Sequence, residues 1–223
     1  MPKVAGADGG ATGLRGPPRD CGLCPRLVDF RRANARDYPD FFNGAVPPFG
    51  GDDARLLVVG LAPGLKGANR SGRPFTGDYA GELLYPTLLK FGLANGTYGA
   101  ARDDGLALIG CRITNAVRCV PPANKPTPAE QKTCRPFLTD EIAALPNLRA
   151  VLALGRIAHD AVLAALVLRK ALYPFAHGAR HALPGGLLLA DSYHCSRYNV
   201  NTGVLTPAMF EAVIAPLARL VMP

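Results

Sequence analysis

Apolar and polar positions along the chain fall into a recurring order: a short apolar run, a polar loop, then a stretch at helical spacing. Leu56-Leu57-Val58-Val59, Leu106 to Thr114, Arg149 to Leu154 and Gly186 to Ala190 have the length and composition of buried strands. Leu83, Leu84, Leu88 and Leu89 recur at helical spacing between Gly81 and Phe91. Thr127-Pro128-Ala129-Glu130 has the order of a capping box with proline at the first helical position, opening a helix through Cys134 to about Leu145. Arg156 to about Lys170 predicts a further helix. Thr206-Pro207 opens a last one, whose Phe210, Val213, Ile214, Leu217 and Leu220-Val221 form a single apolar stripe. Before the first strand, Leu27, Phe30 and Phe41-Phe42 among charges predict a helix from Arg26 towards Asn43, broken near Tyr38-Pro39, with Pro47 to Gly51 as linker. No fixed-period repeat appears. The pattern predicts an α/β fold: a three-layer α/β/α sandwich around a central, mainly parallel four-stranded sheet.

A chain of 223 residues suits one well-buried domain, expected over 21–223, with the Gly-, Pro-, Arg- and Ala-rich residues 1–20 as a flexible lead-in. Net charge is +8 with a pI of about 9.4, so the surface favours polyanions. With no polybasic run or basic amphipathic helix, nucleic acid is the expected partner before a lipid surface. The longest apolar run, Ala161 to Leu168, is cut off by Arg169-Lys170 and is too short to span a bilayer. Residues 1–20 have no apolar core of a signal peptide, which leads us to expect a cytoplasmic protein.

The candidate chemistry sits in the loops after strands, where open α/β sheets bind ligands. Gly60 to Asp78 holds five glycines and two prolines, which cannot continue the strand and allow close backbone approach. Neither G-x-x-x-x-G-K-[ST] nor G-x-G-x-x-G is present, so nucleoside triphosphates and dinucleotides lose ground. Phe75 offers a stacking face, Asp78 a carboxylate, and Arg70 and Arg73 phosphate-seeking cations, a set suited to a nucleobase on a phosphate backbone. Asn115 ends the second strand, placed either to read a base edge or simply to cap the turn. After the last strand, Asp191-Ser-Tyr-His194-Cys-Ser-Arg197-Tyr198-Asn199 is a second polar loop. In it Arg197 and Tyr198 are suited to hug or enter a polynucleotide, and His194 to donate a hydrogen bond or carry a proton. His159 is expected to be structural, with no polar cluster around it; His177 and His181 carry no assignment.

Six cysteines remain. Cys21 and Cys24 form a C-x-x-C, Cys119 follows a strand end, and Cys134 lies on the next helix, so four thiols can meet at one centre. The lack of a secretion signal argues against disulfides, while spacing alone admits both a Cys₄ zinc and an iron–sulfur cluster.

Taken together, Gly60-Leu-Ala-Pro-Gly64 with Gly72-Arg-Pro-Phe-Thr-Gly-Asp78, Ile113-Thr-Asn-Ala-Val-Arg-Cys119, and His194-Cys-Ser-Arg-Tyr-Asn199 with Thr202-Gly203 resemble the uracil-DNA glycosylase superfamily. The branch resembled is the iron–sulfur family 5, or B-type. The resemblance covers nearly everything from Cys21 onward. It implies a monofunctional DNA-repair enzyme, expected as a monomer, that flips uracil and other deaminated bases such as hypoxanthine and xanthine out of DNA and leaves an abasic site. It implies that Phe75 stacks on the base against Gly60, Ala62 and Gly64, that Asn115 reads its edge, and that His194 supports the departing base at a carbonyl. Asp78 would orient water or stabilise the sugar cation, and Arg70, Arg73, Ser196, Arg197, Tyr198 and Asn199 would contact DNA. It also implies that Cys21, Cys24, Cys119 and Cys134 hold a structural [4Fe–4S] cluster, leaving Cys111 and Cys195 free. Where several glycosylase families carry a water-positioning Asp, Asn or Glu, this chain has Leu61-Ala62, as the B-type branch does, which shifts the burden to Asp78. Cys195 stands where relatives more often have proline or another small apolar residue. A damaged-DNA binding module without catalysis and a hydrolase of free nucleosides are the alternatives; the charge of +8 is unneeded for the second.

Overall fold

Strand β1 (Leu56–Gly60) is buried along its whole length and pairs in parallel with β4 (Cys111–Asn115) on one side and β5 (Ala150–Leu154) on the other. These residues come from a computed structural model, which describes residues 16–222. Residues 1–15, most of the expected lead-in, lie outside the described residues. Because successive strand side chains point to opposite faces, Leu56 and Val58 enter one core and Leu57 and Val59 the other. That double burial explains the unbroken apolar runs.

The sheet order is β4-β1-β5-β7-β6, with β7 (Leu188–Ser192) parallel to β5 and β6 (Arg180–Ala182) antiparallel to β7. The four expected parallel strands are present, and a fifth closes the edge. It escapes pattern reading because it has only three residues, and Arg180 and Ala182 are exposed. The last parallel strand also runs further than expected, so Asp191 and Ser192 are buried in β7 instead of belonging to the polar loop.

Helix α1 (Pro25–Asp37) stops before Pro39. After a short α2 (Ala68–Ser71), α3 (Tyr79–Lys90) is capped by the Asp78 side chain, which accepts from the Gly81 amide. The run from Leu106 to Thr114 is not one strand: Ala107–Leu108 (β3) pairs back on Ala94–Asn95 (β2), and Gly110 turns the chain at φ +56° into β4. Helix α4 (Pro128–Ala143) carries the complete capping box between Thr127 and Glu130. Helix α5 (Arg156–Ala165) ends sooner than expected, Val167 already having φ +57°. The final helices are α6 (Arg197–Asn201) and α7 (Pro207–Val221); on α7 Ala218 joins the buried stripe and Leu220 is exposed. Helices α3 and α7 cover one face and α4 and α5 the other. All four parallel strands therefore present their carboxyl ends to the same edge.

Candidate active site

The carboxyl ends of β1, β4 and β7 open onto a cleft of about 590 Å³. Its lining includes Ala62, Gly64, Phe75, Asp78, Asn115 and His194. The glycines of the first loop act here by admitting side chains. A methyl group on Gly60 would lie 2.4 Å from both the Asn115 side-chain oxygen and the Phe75 ring, so only glycine lets amide and ring meet at the floor. A methyl group on Gly67 would lie 2.4 Å from Asp78 Oδ2. Phe75 itself is buried with φ +53°, a backbone state that costs a bulky residue energy and persists only when its surroundings hold it.

Those surroundings include Arg73. Its guanidinium bonds Asp104 through both nitrogens, at 2.8 and 2.6 Å, and its Nε donates to Thr76 Oγ1 at 2.7 Å. The group is buried over the rings of Phe49 and Tyr85. Arg73 therefore clamps the turn that carries Phe75 and is not a DNA contact, contrary to expectation; a paired, buried cation has no charge left for a phosphate. Arg70 and Arg197 remain exposed, as does Tyr198 at 74%.

Asp78 is pushed above the ordinary carboxylate range by burial, against the backbone hydrogen bonds of Gly81 and Ala80, with Glu82 adding repulsion. Burial lowers the pKa of His194, which favours the neutral form of its ring. Its ring lies 6.1 Å from that of Phe75, centroid to centroid. The His194 carbonyl is held by the Asn199 side-chain amide at 2.8 Å, and Ser196 caps α6 by accepting from the Asn199 amide. Asn199 and Ser196 thus shape the His194 loop. Burial, then the neighbouring Asp78 charge, pushes the Cys195 thiol up to about 12, which leaves it an inert neighbour. Asn115 is buried, and its side-chain oxygen has no hydrogen-bond partner among the described residues. An orphaned buried acceptor costs about 1–3 kcal/mol until a donor arrives.

The polar cleft residues Asn124, Lys66 and Tyr79 were not anticipated from sequence. Asn124 lines the cleft from the proline-rich loop, where it and Ala123 have φ +56° and +53°. Asparagine's tolerance of that region was the available signal. Lys66 lines it from the first loop. His159 also departs from expectation: polar groups do cluster around it, as described below.

Cys21, Cys24, Cys119 and Cys134 line one small apolar pocket with Leu27, Val117 and Phe137. Cys24 is the residue preceding α1, Cys119 follows β4, and Cys134 lies in α4. Arg31 Nη1 approaches Cys119 Sγ at 3.5 Å and Nη2 donates to the Cys21 carbonyl at 3.0 Å. Burial raises the Cys119 thiol to about 11; Cys24 is raised by burial first and then by Cys134, Glu130 and Cys21. Ionised together, these thiols repel, so a common positive centre is what would hold them. Among the described residues no three of the sulfurs lie within 4.8 Å of one another. Four thiolates at about 2.3 Å from one zinc would be about 3.8 Å apart. Cys111 and Cys195 are buried in the opposite core.

Among known proteins, the family model of the uracil DNA glycosylase superfamily matches residues 47–218. The chain is 48% identical over 205 residues to the type-5 uracil-DNA glycosylase of Thermus thermophilus, covering 90% of this chain and 93% of that protein. It is 40% identical over 225 residues to the type-5 uracil-DNA glycosylase of Mycobacterium leprae, covering 97% and 98%. To that of Pyrobaculum aerophilum it is 43% identical over 199 residues, covering 87% and 86%.

Proposed function

The chain belongs to the uracil DNA glycosylase superfamily and is a DNA glycosylase, and from this we propose that it excises uracil from DNA, with hypoxanthine and xanthine as further substrates. The observation that carries the reading is the cleft itself, in which a stacking ring, an amide oxygen without a hydrogen-bond partner among the described residues, a half-buried carboxylate and an imidazole face one space.

A base flipped into this cleft stacks on Phe75 and offers its edge to Asn115, whose oxygen accepts from a ring N–H. As the glycosidic bond lengthens, negative charge gathers on the base and positive charge on the sugar. Neutral His194 donates to the base carbonyl where the first develops, and the Asp78 carboxylate faces the second and orients the attacking water. The proton released by that water passes to Asp78, because Leu61 and Ala62 carry no acceptor group. Arg70, Lys66, Arg197 and Tyr198 are the exposed groups available to the phosphate backbone. The cleft falls within the range of about 300–1,000 Å³ of small-molecule sites, which leaves room for a purine lesion.

Cys21, Cys24, Cys119 and Cys134 would hold a [4Fe–4S] cluster. The four-thiol donor set gathered in one pocket and the cationic Arg31 beside it support this. The cluster would supply a cross-link between α1, the segment after β4, and α4, with no part in the hydrolysis. We propose that the enzyme works as a monomer.

Defined duplexes carrying uracil, hypoxanthine or xanthine, treated with the protein and then hot alkali, should break at the lesion. Affinity should fall steeply with salt. Intact strands for all three bases would overturn the reading. Asn115→Ala should reduce uracil release more than release of the purine lesions, by about 1–3 kcal/mol in discrimination, because a small pyrimidine depends most on its edge contacts. Equal losses in kcat/KM on every base would instead assign Asn115 to holding the loop.

A further inference from the structure

At the sheet edge opposite β4, three elements bring His159 of α5, His181 of β6 and Asp191 of β7 together. We infer that these residues form a binding site for one divalent cation of the zinc class, separate from the catalytic cleft and from the cysteines. His159 Nδ1 lies 2.7 Å from Asp191 Oδ1, and His181 Nε2 lies 3.4 Å from Asp191 Oδ2. All three residues offer ligand atoms within 4.8 Å of one another.

The hydrogen-bond inventory favours a cation over a shared proton. His159 Nε2 is 2.8 Å from the Tyr173 carbonyl, an acceptor only, so that nitrogen carries the hydrogen and Nδ1 faces the carboxylate. This is how metal-ligating histidines are fixed, with the far N–H given to a carbonyl or carboxylate. A proton on Nδ1 satisfies the contact to Asp191 Oδ1 but nothing else. His181 Nε2 and Asp191 Oδ2 are both buried and, although they face each other at 3.4 Å, neither makes a hydrogen bond among the described residues; Asp191 is fully buried. One cation among the three side chains satisfies both orphans and the Nδ1 lone pair at once. Two imidazoles and a carboxylate are a ligand set typical of zinc, with water as the usual fourth ligand.

The position gives the ion a consequence. Asp191 is locked into its strand by the Ala179 carbonyl and the Gly178 amide, and the chain reaches His194 three residues later. A bound ion ties α5, β6 and β7 together at the root of that loop.

The protein as purified, equilibrated with buffered micromolar free zinc, tests the site by elemental analysis and zinc-edge X-ray absorption. We expect one zinc per chain with nitrogen and oxygen neighbours at about 2.0–2.1 Å, distinct from thiolate sulfur at about 2.3 Å. His181→Gln, placed on a short edge strand, should weaken binding by at least about 100-fold and leave uracil release without added metal unchanged. Retention of no zinc, a shell of sulfur alone, or equal affinity in the His181→Gln protein would overturn the site and leave a proton-shared His–Asp pair. If that variant misfolds, the wild-type absorption shell decides.

Discussion

Asp78→Asn is expected to lower single-turnover uracil release by at least about 100-fold while raising the thermal stability of the protein at neutral pH. The two effects have one origin. Asparagine keeps the cap of α3, because its side-chain oxygen can still accept from the Gly81 amide. What it removes is a buried charge. In the proposed mechanism that charge stabilises positive charge on the sugar, which exists only in the transition state, so DNA affinity should change little. In the free protein the same charge is a burden: burial raises the folded-state pKa of Asp78 above its unfolded value. A carboxyl with a raised folded pKa contributes relative stability below its unfolded pKa and loses it as pH rises through the folded one. At neutral pH wild type therefore carries the full cost of the ionised group and the variant none. Melting curves should separate at pH 7 and converge in acid. In wild type the acid limb of the rate profile should lie above the ordinary carboxylate value, and Asp78→Asn should lose it. Near wild-type single-turnover rates would remove Asp78 from the chemistry; a variant less stable at pH 7 would mean that the cap, and not the charge, dominates.

How much of this was legible in the sequence depends on the range over which each residue finds its partners. The four parallel strands and the placement of Asp78, Asn115 and His194 in one cleft follow from local pattern, since apolar runs ending in polar loops all point the same way in an open sheet. The capping box at Thr127 is likewise short-range. Arg73 was misplaced because an arginine beside Phe75 looks the same whether it faces solvent or Asp104, 31 residues away. His159 finds Asp191 at a separation of 32 residues, and no periodicity records such a pairing. Strand β6 was missed because three half-exposed residues make no pattern. The glycines read in sequence as allowing close backbone approach; Gly60 and Gly67 give room to Phe75, Asn115 and Asp78, a role visible only once those side chains are in place.

With the proposed cluster in place in the wild type, Cys134→Ser is expected to yield protein without brown colour or iron, melting roughly 10–20 °C lower. The magnitude follows from topology. A centre shared by Cys21 and Cys134 closes a loop of about 100 residues, and a cross-link of that span stabilises by about 4–5 kcal/mol. In a domain of this size each kcal/mol moves the melting temperature by about 2–4 °C. The loss should also reach the cleft by a definite route. The amides of Ala116 and Val117 bond the carbonyls of Gly60 and Leu61 at 2.9 Å, and Val117 and Cys119 share one apolar cluster with Ala62. Loosening the cysteine corner therefore disturbs Asn115 and the floor of the cleft first, whereas Asp78 is held from the far side by α3. Uracil binding should weaken more than the rate at saturating DNA falls. Cys111→Ser is the control: Cys111 is buried in the other core, so its loss should cost packing but leave iron in place. Wild-type protein prepared anaerobically with ample iron, yet colourless, fully active and holding stoichiometric zinc on sulfur, would end the case for the cluster. The thiol spacing would then have to contract around the smaller ion.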